Sequence, residues 1–127
     1  MRVYYEDTDF SGSVYHACYL KFLERGRTEW LRQLGFSNSE LLQGSGVVFA
    51  VRKLEIEYLA PALMDDLLNV ETRLLSVSGA SISFLQRILR GPKELVLASV
   101  LVAAVRGGRA VRLPIDLRRA LGELRKF

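Results

Sequence analysis

The sequence predicts an α+β fold, an antiparallel sheet of about five strands wrapped around one long central helix. Three observations carry this reading. Apolar residues recur at helical spacing over a long stretch near the start, the pattern then changes to alternation, and short glycine-bearing joints divide the remainder. At 127 residues the chain has the length of one domain, 1–127, and its apolar half suffices for a core.

Met1 to Tyr5 reads as a short strand, with Val3 and Tyr5 on one parity. A helix follows, starting near Val14 to His16 and ending at about Leu34. Tyr19, Leu20, Leu23, Trp30, Leu31 and Leu34 form its apolar stripe, while Lys21, Glu24, Arg25, Glu29 and Arg32 lie mainly outside it. Arg25 and Glu29 make an i,i+4 pair. Gly35 suits a left-handed helix cap. Gly26 costs about 1 kcal/mol against Ala inside a helix, so its presence points to close packing at that turn.

Phe36 to Gly46 is polar and glycine-punctuated, with a short helix expected around Ser39 to Gln43. In "VRKLEIEYLAP", Leu54, Ile56 and Tyr58 alternate with Lys53, Glu55 and Glu57, as in a half-buried strand. Further strands are expected at Leu67 to Val77, Ser81 to Arg90, Leu95 to Arg106 and Arg109 to Leu113. The joints "SVSGAS", "RGPKE" and "RGGR" are too short for crossovers, so these strands are antiparallel neighbours. Gly107-Gly108 suits a two-residue primed turn, because both positions can take positive φ. The nearly all-apolar run from Leu95 to Val105 reads as a central strand buried on both faces. In "PIDLRRALGELRKF", Leu117, Ala120, Leu121 and Leu124 give a terminal helix a modest apolar face. A helix with one apolar stripe must bury it against the apolar face of the sheet, and a sheet curling around one central helix is the hotdog arrangement. An open sheet edge invites association, so at least a dimer is expected.

Net charge is +4, with Arg106, Arg109, Arg112, Arg118, Arg119, Arg125 and Lys126 opposed only by Asp116 and Glu123 after position 105. A polyphosphate ligand or a solvated surface accounts for this imbalance. No basic run is interleaved with aromatics, so nucleic acid is not expected as a partner. The longest apolar run is far short of the ~20 residues that span a bilayer, so no integral membrane segment is expected. No signal-peptide pattern opens the chain, and the lone Cys18 can form no internal disulfide. A cytoplasmic protein is expected.

The chemistry concentrates in "YYEDTDFSGSVYH", where Glu6, Asp7 and Asp9 precede the long helix and its sole histidine, His16. A carboxylate there stands beside the positive end of the helix dipole and unpaired N–H groups. Those N–H groups can hold a developing oxyanion, and Gly12 admits a ligand close to the backbone. Acyl transfer suits this arrangement. Capping alone also accounts for an acid before a helix, at ~1 kcal/mol, but three acids exceed what a cap requires. In an extended segment Asp7 and Asp9 point one way and Glu6 the other. Cys18 reads as a small core residue, since positions two apart on a helix do not face each other. Asp7, Asp9 and His16 match no zinc pattern, so no metal is expected. Tyr15 and Tyr19 read as packing residues, and His16 as an acid–base group, an orienting donor or a structural residue.

The run "YYEDTDFSGSVYHACYLKFLERGRTEWLRQLGF", followed by "FAVRKLEIEYLAPALMDD", resembles the hotdog-fold acyl-CoA thioesterases related to 4-hydroxybenzoyl-CoA thioesterase. The likeness is to their bacterial branch encoded alongside the Tol–Pal system, it extends to about Arg87, and it rests on Y-x-D-T-D-x-x-G-x-V-Y-H with a downstream E-R-x-R. The resemblance implies a thioesterase that hydrolyses acyl-CoA or acyl-carrier-protein thioesters to free acid and thiol. Asp9 is then the nucleophile or general base, and the backbone N–H groups of Tyr15 and His16 form the oxyanion hole. His16 supports substrate or water, and Glu24 matches the family's helix glutamate. It also implies a homodimer and a tetramer built as a dimer of dimers, with no cofactor beyond the coenzyme A of the substrate. "SVSGAS" lacks the basic residues of the hydroxybenzoyl enzyme, which leaves Arg52, Lys53, Arg87 and Arg106 as candidates for the phosphates, with Gly12 at the acyl group. Ser11 and Ser13 replace smaller or aliphatic residues and alter the acyl pocket. The alternative function is a non-catalytic hotdog module that binds acyl thioesters or a protein partner. A hotdog dehydratase is a weaker alternative, for want of a suitable second histidine.

Overall fold

The computed structural model describes residues 1–124; Arg125, Lys126 and Phe127, which closed the expected terminal helix and its basic tail, lie outside the described residues. The elements in order are α1 (His16–Gln33), α2 (Asn38–Ser45), β1 (Val48–Tyr58), β2 (Asn69–Val77), β3 (Ser81–Arg90), β4 (Lys93–Arg106), β5 (Arg109–Ala110) and α3 (Ile115–Leu124). The strands form one antiparallel sheet in the order β1-β4-β3-β2. β5 pairs with Val105 and Arg106, past the point where β3 pairing stops at Ala103.

Pleating decides which residues meet the long helix. Ile82, Phe84, Gln86 and Ile88 of β3 pair with Val102, Val100, Ala98 and Val96 of β4, and all are buried. They share one face because side chains alternate along a strand. Tyr19, Phe22, Leu23 and Leu31 of α1 are buried in the same core, and Trp30 packs edge-on against Phe84 at 5.3 Å. Gln86, fully buried, donates through Nε2 to the Leu23 carbonyl and to Thr72 Oγ1, and accepts from Arg27 through Oε1. It fastens helix to sheet without leaving a polar atom unpaired.

The suspicion about Gly26 is met. A Cβ there would stand 2.6 Å from Val70 Cγ1 and 3.1 Å from Gln86 Nε2. Gly35, at φ +101°, ends α1 with two bonds, Phe36 N–H to the Leu31 carbonyl and Gly35 N–H to the Arg32 carbonyl. Together these are a Schellman motif. Gly107 and Gly108 both have positive φ, at 59° and 78°, as the primed turn requires.

Several expectations need correction. Met1 to Tyr5 is not a strand: Arg2 makes a single bridge to Leu67, and Tyr5–Asp7 is a 3-10 turn. The Asp7 carboxylate bends back to accept the Tyr4 N–H at 3.0 Å, which curls the backbone. Asp7 and Asp9 therefore do not share an environment. Only one face of β4 is fully covered, because Leu97, Ser99 and Leu101 on its other face are half-exposed. The short helix extends to Asn38–Ser45, since Ser37 Oγ accepts the Glu40 N–H and Gly46 closes it at φ +73°. The ladder beyond Arg109 ends at Ala110, where the chain turns to bond Leu113 N–H to the Gly79 carbonyl.

Candidate active site

The segment from Asp9 to Val14 is a tight loop closed by its own backbone. Asp9 N–H donates to the Ser13 carbonyl at 2.9 Å, Gly12 N–H donates to the Asp9 carbonyl at 3.1 Å, and Thr8 bridges to Val14. Gly12 sits at φ +85°, where a side chain would be strained. Two further bonds hook the loop onto the connection between β1 and β2, Val14 N–H to the Ala62 carbonyl and Met64 N–H to the Gly12 carbonyl. The loop is thus fixed at both ends before any side chain is considered.

The three acids now separate. Asp7 is buried and engaged through both its carboxylate and its carbonyl, which accepts the Tyr15 N–H at 3.0 Å. It braces the turn. Glu6, in the middle of that turn, is exposed. Asp9 is exposed, and its Oδ1 accepts the Ser11 hydroxyl at 2.5 Å and the Ser11 N–H at 2.9 Å. Those two bonds hold the carboxyl below its ordinary proton affinity; the Ser13 N–H and the nearby His16 charge act in the same direction, outweighing desolvation. Asp9 is ionised at neutral pH.

Asp9 opens onto a cavity of about 520 Å³ lined also by Ser11, Ser13, Tyr15, His16, Tyr19, Tyr58 and Pro61. His16 is the first residue of α1, and its ring stacks on Tyr58 with centroids 4.5 Å apart. The Tyr15 N–H, expected as an oxyanion donor, is already donated to Asp7. His16 and Ala17 follow it in the first helical turn, whose N–H groups have no intrahelical acceptor.

The other predicted residues lie elsewhere. Cys18 is a buried core residue, as expected, and Tyr19 is buried with its hydroxyl accepting the Ala62 N–H at 3.0 Å. Glu24 faces a second hollow, of about 320 Å³, between α1 and β1, about 12 Å along the helix from His16 at 1.5 Å per residue. Arg52 sits at a bulge on the exposed strand β1, and Lys53 pairs with Glu55 at 3.2 Å. Arg87 is on the opposite sheet face from α1, ion-paired with Glu71 and Glu94, and Arg106 bonds the Ser45 carbonyl. Among the described residues no lysine or arginine lines the Asp9 cavity, so these four cations are not gathered there within one chain. Among the described residues no group of three or more His, Cys, Asp or Glu side chains could hold a metal ion.

Sequence reasoning had noted Ser11 only for its size and missed it as the partner of Asp9, although a serine two residues after an aspartate is a local turn signal. Tyr58 was read as a strand residue only; nothing local announces its contact with a histidine 42 positions earlier.

The family model described as the thioesterase-like superfamily matches residues 3–121, well beyond Arg87. The chain is 46% identical over 127 residues to the acyl-CoA thioesterase YbgC of Haemophilus influenzae, covering 98% of this chain and 93% of that protein. It is 49% identical over 106 residues to the acyl-CoA thioester hydrolase YbgC of Escherichia coli O157:H7, covering 83% and 78% of the two. Among solved structures, a probable thioesterase from Bartonella henselae superposes with a TM-score of 0.87 at 47% identity, covering 90% of this chain and 95% of that one.

Proposed function

The chain belongs to the thioesterase-like superfamily, and from that membership we propose that it hydrolyses acyl-CoA thioesters, with Asp9 as nucleophile. The observation that carries the reading is the Asp9 carboxylate itself, ionised, exposed and held by Ser11 in a cavity shared with the first turn of α1. A carboxylate that is already charged needs no further base to activate it, and Asp9 opens directly onto the cavity, so direct attack on a carbonyl seated there is the step taken here.

In the proposed sequence an Asp9 carboxylate oxygen attacks the thioester carbonyl carbon. The oxyanion that forms is held by the His16 and Ala17 N–H groups, in place of Tyr15, at the positive end of the helix. The C–S bond then breaks, the thiolate leaves and takes a proton from water, and an acyl–aspartyl anhydride remains. Water cleaves the anhydride to the free acid and restores the carboxylate. Ser11 orients Asp9, and Gly12 leaves room for the acyl group. The acyl carrier is coenzyme A or a carrier protein, and the same site serves both.

The β1 edge is unpaired on its outer side among the described residues, which supports a homodimer, and pairs of dimers would form the tetramer. Arg52 and Lys53 lie on that strand, so a second copy could bring cations toward the phosphates that the Asp9 cavity lacks. A cytoplasmic setting fits such a substrate, and no described helix is long and apolar enough to cross a membrane.

The test is release of free thiol from an acyl-CoA chain-length panel, repeated with Asp9→Asn. Hydrolysis lost in the variant supports the reading, and a burst of thiol ahead of free acid in rapid quench supports the nucleophile. If the unsubstituted protein hydrolyses no CoA or carrier-protein thioester, but is stabilised by one equally well with Asn at position 9, it is the non-catalytic binding module instead.

A further inference from the structure

We propose that Tyr58 is a positioning residue that acts through His16, setting the imidazole over the Asp9 cavity; the proposal rests on the hydrolase reading above. His16 is exposed at the first position of α1, and its ring makes no hydrogen bond among the described residues. An unbonded side chain at a helix start has several staggered rotamers open to it. What selects one here is the face of Tyr58, whose ring lies 4.5 Å from the imidazole at 24° between planes.

Tyr58 can do this because it is itself held. It is the last residue of β1 and pairs with Val96 of the central strand. Its ring leans on Tyr19 at 5.4 Å, and Tyr19 is only 2% exposed, with its hydroxyl accepting the Ala62 N–H. A continuous series of ring contacts therefore runs from the core through Tyr19 and the 42% exposed Tyr58 to His16, which lines the same cavity as Asp9. The Tyr58 hydroxyl makes no hydrogen bond among the described residues, so the ring face is the working part.

The chain has one histidine, so its two carbon-bound ring protons give a single unambiguous pair of NMR signals. In the unsubstituted protein and in Tyr58→Phe these should be displaced upfield by the ring current, and in Tyr58→Leu they should return toward the free imidazole position. With an acyl-CoA substrate, kcat/KM should fall about three- to ten-fold in Tyr58→Leu, the size of an aromatic pairing, mostly in kcat, and hold in Tyr58→Phe. Adding Tyr58→Leu to His16→Ala should cost nothing further, because both act through one group. Unmoved signals, unchanged kcat/KM in Tyr58→Leu, or additive losses would overturn the proposal. If the unsubstituted protein has no thioesterase activity, the hydrolase reading falls, and the ring signals alone decide whether Tyr58 sets the imidazole. Tyr58→Met serves the same comparison if the Leu variant does not fold.

Discussion

Asp7 and Asp9 stand two positions apart, and the fold gives them opposite fates. The 3-10 turn buries Asp7 and gives its carboxylate the Tyr4 N–H, whereas Asp9 projects from the loop beyond and keeps its charge in the cavity. The sequence placed carboxylates before a helix, but could not choose between them without the family likeness, because the turn depends on how Asp7 folds back. Ser11 supplies the strongest influence on Asp9. Stabilisation from a carboxyl of lowered pKa is present above its unfolded pKa and is lost as pH falls through the folded one. Ser11→Ala removes the hydroxyl contact, so the Asp9 pKa should rise and the acid limb of the kcat/KM–pH profile should move to higher pH. An acid limb that stays in place would show that Asp9 does not set it.

The elements were legible where one local rule governed them. β3 matches its expected bounds, Ser81 to Arg90, because glycine-bearing turns fix both ends. Parity along β1 was not. Val51 pairs with Val102 and Lys53 with Leu101, leaving Arg52 as a bulge, so Phe49 and Val51 face the same side as Leu54, Ile56 and Tyr58. An extra residue reverses the alternation, and only the partner strand reveals it. Within α1, Gly26 lets the helix approach the sheet. Gly26→Ala should gain up to about 1 kcal/mol of helix propensity but lose about 1–3 kcal/mol to overpacking against Val70 and Gln86. Denaturant unfolding should therefore show net destabilisation, and an equal or more stable variant would mean the contact relaxes freely. Leu121, fully buried on α3, should cost about 2–5 kcal/mol as Leu121→Ala by the same measurement.

For the whole molecule, the decisive features among the described residues are an unpaired β1 edge and an Asp9 cavity lined by no cation. Val48 and Val51 are about half exposed on that strand, at 44% and 52%, and long edges of this kind associate unless protected. Light scattering should give at least twice the 14.3 kDa chain mass, and Val48→Lys with Val51→Lys should shift it toward one chain; a monomeric unsubstituted protein would remove the dimer. The sequence by itself determined the α+β plan, the helix and its capping glycine, the antiparallel order of β2 to β4 and the acidic loop before α1, because each follows from local periodicity or backbone freedom. Tertiary structure alone decided that Asp7 braces while Asp9 stands free, that the Tyr15 N–H is already spent on Asp7, that Arg87 belongs to an ion-paired cluster away from the cavity, and that Tyr58 meets His16. Those outcomes depend on contacts between residues distant in sequence, or on how a turn closes, and neither leaves a periodic trace in the chain.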